Sequence, residues 1–76
     1  MTFQEFQDSK RPITPADVVS FDLESADVYT GFLYLGEWWI SSESSGAFWT
    51  MMFNEDFASD RLEEVELWLF DRIVES

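Results

Sequence analysis

Among its 76 residues the chain has no cysteine and no histidine. Without cysteine there is no disulfide and no thiolate metal site. Without histidine, the usual general base, the usual nitrogen ligand for a metal and the usual switch near neutral pH are all missing. Three scattered glycines cannot build a loop that cradles phosphate. No apolar run reaches the roughly 18 residues that a membrane span needs, and no apolar core follows a basic start as in a signal peptide. Cations are scarce too: four Lys and Arg stand against sixteen Asp and Glu, for a formal net charge of −12. A chain so poor in positive charge lacks the basic patch that direct binding to nucleic acid or to an anionic membrane requires.

What remains is acidic and aromatic. Apolar residues make up 46% of the chain and aromatics 18%, too much for a disordered acidic tail. Residues 1-76 are expected to fold as a single domain, near the lower size limit for a self-sufficient core. The charge exceeds the magnitude of about 2–8 that keeps a small domain soluble, and the excess repels itself. It is also unevenly placed. Lys10 and Arg11 lie near the start, Arg61 and Arg72 near the end, and the nine acids from Asp17 to Asp60 have no base among them. Within that span, Gly36 to Asp56 concentrates three of the four tryptophans with Glu37, Glu43, Glu55 and Asp56.

The pattern predicts an α+β domain: an antiparallel three- to four-stranded sheet, a C-terminal helix packed on one face, and a short N-terminal helix. Thr2 with Glu5 makes a capping box for a helix from Thr2 to about Lys10, ended by Pro12. Thr14-Pro15 resembles a helix start. Val19, Phe21 and Leu23 alternate with polar residues, so one helical turn followed by a strand over residues 18–24 is expected, with a continuous helix as the alternative. Phe32–Leu35 and Trp38–Ser41 read as strands around Gly36-Glu37. Ser42–Gly46 is a strong turn signal before a strand over Ala47–Phe53. Asn54 and Glu55 break the pattern and lead to a helix from about Asp60 to Val74, with Glu63 three residues after its acidic cap. Leu62, Val65, Leu69 and Ile73 form one helical stripe; Leu67, Phe70 and Val74 form a second; Asp60, Glu64, Asp71 and Glu75 form a polar face.

Both faces of the expected sheet are apolar. Trp38 and Ile40 point one way and Trp39 the other; Phe48 and Met52 oppose Trp49, Met51 and Phe53. A single helix covers one face. The second face needs the N-terminal segment, a second copy of the chain in a homodimer, or another partner, and Trp, Phe and Met are residues enriched in interface cores.

No nucleotide-binding, serine-hydrolase or zinc-protease motif is present, and an enzyme is not expected. Asn54, Glu55, Asp56, Ser59 and Asp60 gather oxygen ligands. They lack the central glycine and terminal glutamate of a calcium loop, so they read as a strand-to-helix connection whose acids favour a helix N-terminus. No metal and no cofactor is expected. The acids themselves are more informative. Asp60 with Glu64, and Asp71 with Glu75, are like charges one helical turn apart, and such pairs cost a few tenths of a kcal/mol each.

Small size, strong acidity, lack of cysteine and high aromatic content in a short α+β layout resemble the acidic anti-defence inhibitors of phages and plasmids, the anti-CRISPR and anti-restriction proteins, several of which are DNA mimics. The resemblance lies in composition alone, and those proteins share no motif, so it assigns no residue. It implies an inhibitor in the cytoplasm of a bacterial host, bound to a basic nucleic-acid-binding groove of a defence enzyme. The residues themselves offer Glu37, Glu43, Glu55, Asp56, Asp60, Glu64, Asp71 and Glu75 as acidic partner contacts. They offer Trp38, Trp39, Trp49, Trp68 and Phe70 as aromatic contacts with a partner or a dimer mate. The alternative is a small dimeric adaptor whose acids serve only solubility.

Overall fold

The computed structural model describes residues 1–20 and 30–75. Helix α1 (Phe3–Asp8), strand β1 (Arg11–Pro12), helix α2 (Pro15–Ser20), strands β2 (Thr30–Tyr34), β3 (Trp38–Ser42), β4 (Phe48–Met52) and β5 (Glu55–Ser59), and helix α3 (Leu62–Glu75) follow in that order. The strands form one antiparallel sheet in the order β1-β2-β3-β4-β5. This is an α+β domain with five strands among the described residues, one or two more than the sequence pattern suggests.

Local chemistry explains most of the elements. Thr2 and Glu5 satisfy each other's backbone N–H groups at the start of α1, the reciprocal cap expected from the sequence. Thr14 and Asp17 do the same for α2, with Pro15 at the first helical position. That cap, together with the Val18 N–H bonded to the Thr14 carbonyl, carries the chain in helix through Ser20. The strand expected to begin at residue 18 therefore does not begin there; residues 21–24 of that expectation lie outside the described residues. The short β1 is an edge strand, where Pro12 need not donate a ladder hydrogen bond.

The larger surprise is β5. Phe53 (φ 53°) and Asn54 (φ 63°) both adopt the left-handed conformation, and Met52 pairs with Glu55 across them. Two consecutive positive φ values make the two-residue turn whose twist suits a tight hairpin. The segment expected to connect strand to helix is thus the last strand of the sheet, and Asn54 turns the chain rather than ending the β pattern. Helix α3 then begins at Leu62, two residues beyond Asp60. In place of the expected acidic cap, the Ser59 hydroxyl accepts from the Arg61 N–H and donates to Glu64.

One face of the sheet carries the main core: Tyr34, Ile40 and Met52 against Val65 and Leu69 of α3 and Phe6 of α1. Fully removing a side chain of this size from water contributes about 1.5–3 kcal/mol. Phe6 stacks on Tyr34 at 4.7 Å, and Phe70 lies against both Phe3 and Phe6, so α1 covers the upper part of the second α3 stripe. Leu67 and Val74 of that stripe stay exposed. The opposite face holds buried Leu33 and a Trp39–Trp49 pair at 5.1 Å. Gly31 also belongs to β2, and there a Cβ would meet the Ile40 carbonyl oxygen at 2.1 Å. Only glycine lets β2 and β3 approach so closely.

Candidate functional site

Among the described residues the carboxylates divide into two kinds. Two are buried and each holds a cation. Glu66 is 2% exposed and accepts from the Tyr34 hydroxyl (2.7 Å), the Gln7 amide (3.1 Å) and the Lys10 ammonium (3.3 Å). Burial, and then the neighbouring Glu66, push the Tyr34 phenol far above its ordinary value, so it stays a donor. Asp17 takes both arms of the Arg11 guanidinium at 2.8 and 2.9 Å. Arg11, and then the Thr14 N–H, hold its carboxyl well below the ordinary range. Neither residue stood among the expected contacts. Glu66 could have been found in the sequence as a lone acid flanked by Val65, Leu62 and Leu69 on the apolar arc of α3.

The other two cations are spent at the surface. Arg61 lies 3.8 Å from Glu64, and Arg72 lies 3.3 Å from Glu55 and 3.9 Å from Glu75. Every lysine and arginine of the chain is therefore engaged by an internal carboxylate. Among the described residues, Glu37, Glu43, Asp56, Asp60, Glu63 and Asp71 form no ion pair.

Hairpin topology sets where these acids lie. The β2–β3 and β4–β5 turns share one end of the sheet, and the β3–β4 turn lies at the other. Helix α3 runs antiparallel to β5, since Ser59 meets Glu64 near its start and Glu55 meets Arg72 near its finish. Glu37, Glu55, Asp56, Asp71 and Glu75 consequently gather at the first end, with the negative C-terminal dipole of α3. Glu43, Asp60 and Glu64 fall at the other. The polar helix face read from the sequence is thereby split. Asp60 lies outside the helix, so it does not form the expected one-turn pair with Glu64; Asp71 and Glu75 keep theirs.

The aromatic candidates separate too. Trp68 stacks on Phe57 at 5.3 Å and lies 4.7 Å from the Arg72 guanidinium, and Phe70 packs on α1. Both are half-buried and belong to packing between elements. Trp39 and Trp49 pack on each other behind the sheet. Trp38 and Trp39 line a cavity of about 280 Å³ at the acidic end, together with Glu37, Thr50, Met51, Met52, Phe53 and Leu69.

That cavity exists because β3 and β4 part company. They pair only at Ser41–Trp49 and Ser42–Phe48, whereas β2–β3 and β4–β5 each stay in register over five pairs. Toward the acidic end, the Thr50 hydroxyl reaches the Trp39 carbonyl at 2.6 Å. Beyond that bond the strands diverge around the slot. Phe53 stands between it and a shallower depression lined by Glu55, Arg72 and Glu75. Phe53 is 64% exposed at φ 53°. A bulky residue in the left-handed region costs about 1–3 kcal/mol, and such outliers cluster at binding sites. Phe53 and Met51 were absent from the expected contacts; Asn54, a turn former directly after Phe53, was the available signal.

Among the described residues no group of three carboxylates is placed to hold a metal ion, and no helix is long and apolar enough to cross a membrane. No family model, no curated protein and no solved structure matches this chain.

Proposed function

We propose that the chain is a protein-binding inhibitor whose acidic end docks onto a basic, nucleic-acid-binding surface of another protein. The observation that carries this reading is that internal carboxylates engage all four cations, Arg72 at the acidic end included, while Glu37, Asp56 and Asp71 at that end form no ion pair among the described residues. Asp71 and Glu75 sit in the last turns of α3, where the helix dipole disfavours negative charge. A surface shaped only for stability would not place them there. Duplex DNA presents a charge about every 1.7 Å of its axis, and a Lys/Arg-lined groove built for it offers the complementary field. The acids would steer association, making it fast and salt-sensitive, while Phe53 and the slot tryptophans supply desolvated anchors. A defence nuclease in the bacterial cytoplasm is the target class that fits this chemistry.

The test is capture of partners from a bacterial lysate, with elution by a salt gradient and then by duplex DNA. The reading expects a nucleic-acid enzyme that leaves with salt and is displaced by DNA. Partners that resist both salt and DNA would overturn it. A second reading rests on exposed Leu67 and Val74, which lie two helical turns apart on α3. They fit a homodimer seam in a small adaptor, and sedimentation of Leu67→Glu against the unaltered chain tests that seam.

A further inference from the structure

We propose that the slot between the diverging ends of β3 and β4 is an anchor pocket for one arginine side chain of the partner. This inference rests on the docking reading and specifies the chemistry its central contact would use. The cavity of about 280 Å³ lies just below the roughly 300–1,000 Å³ typical of small-molecule sites, a size suited to a single long side chain. Six of its eight lining residues are apolar, Trp38, Trp39, Met51, Met52, Phe53 and Leu69, and the other two are Thr50 and the acid Glu37. Glu37 forms no ion pair among the described residues.

Charge complementarity selects the occupant. A neutral aromatic side chain would fill the walls but leave Glu37 and the surrounding acids uncompensated. A lysine would bring a compact, strongly hydrated ammonium against indole and thioether side chains, which it cannot stack on as a planar group does. A guanidinium is planar and weakly hydrated, stacks on indole faces and meets a carboxylate with two parallel donors. Its methylene stem would lie along Met51 and Phe53. The chain already pairs guanidinium with indole, since Arg72 lies 4.7 Å from the Trp68 ring centroid. This internal pair shows the same chemistry between α3's own residues.

The test titrates the intact chain with oligo-arginine and oligo-lysine peptides of equal length, following backbone amides and tryptophan indole N–H signals by NMR. We expect oligo-arginine to shift the Trp38 and Trp39 indole signals and the Glu37 and Phe53 amides saturably. Oligo-lysine should bind about threefold or more weakly without moving the indoles. Glu37→Gln should weaken oligo-arginine binding by about tenfold, whereas Glu43→Gln, at the far end of the sheet, should stay within about twofold. Equal shifts with both peptides, or equal losses from Glu37→Gln and Glu43→Gln, would overturn the pocket. Salt-eluted capture of a nucleic-acid enzyme would still stand in that case, so the two failures are distinguishable.

Discussion

Glu66 and Glu37 carry the same functional group and do opposite work. Glu66 is buried at the junction of α1, β2 and α3, where a hydroxyl, an amide and an ammonium converge on it. Glu37 stands in an exposed turn with no cation beside it. The first ties the N-terminal helix to the C-terminal one, and the second forms no ion pair within the chain among the described residues. The contrast teaches how a domain of net charge −12 stays folded. Its few cations go first to the carboxylates that burial would otherwise make costly. The repulsion left over is carried at the rim, where water and salt screen it.

The strongest way to break this division is to remove the interior acid. Glu66→Leu leaves the Tyr34 hydroxyl and the Lys10 ammonium without their acceptor. It should cost about 2–3 kcal/mol and lower Tm by about 10–20 °C in a domain of this size. A loss no larger than that of Glu63→Leu would erase the distinction between interior and rim. Asp17 comes next. Because Arg11 holds its folded carboxyl below the ordinary 3.8, the pair stabilises fully above that pH. The contribution fades as falling pH passes through the folded value. Asp17→Asn should therefore lower Tm at neutral pH, with the gap from the unaltered chain closing below about pH 4. A gap that widens in acid would contradict the pairing.

Phe53 sharpens the comparison from the rim side. Phe53→Asn relieves the left-handed strain and should raise stability by about 1 kcal/mol while weakening partner binding. Chemical denaturation and affinity measured on the same variant would show whether the two move in opposite directions. The smallest effect belongs to Asp71→Lys. It converts an unfavourable charge at the C-terminal end of α3 into a favourable one and should add a few tenths of a kcal/mol. Added salt should likewise raise Tm modestly by screening the rim.

The sequence made some of this visible and hid the rest for physical reasons. Thr2 and Glu5 are adjacent on the α1 cap, so their roles could be read locally. The Ser42–Gly46 turn and the Leu62, Val65, Leu69 stripe were equally plain. The fifth strand was not, because its turn uses Phe53-Asn54 without the glycine that marks such hairpins. The start of residues 18–24 as strand failed because the Thr14–Asp17 cap outweighed the alternation of Val19 with its neighbours. The division of the acids between two ends depends on hairpin topology, which no short stretch encodes. The slot depends on where β3 and β4 cease to pair, and Trp38, Trp39 and Met51 carry no local mark of that.

The most direct measurement compares two double variants that remove equal charge from opposite ends: Glu37→Gln with Glu75→Gln, and Glu43→Gln with Asp60→Asn. Affinity for the basic protein recovered by salt-eluted capture should fall by about tenfold or more for the first pair and by about twofold or less for the second. Equal losses would mean that only total charge matters, and that the acidic end has no special part in docking.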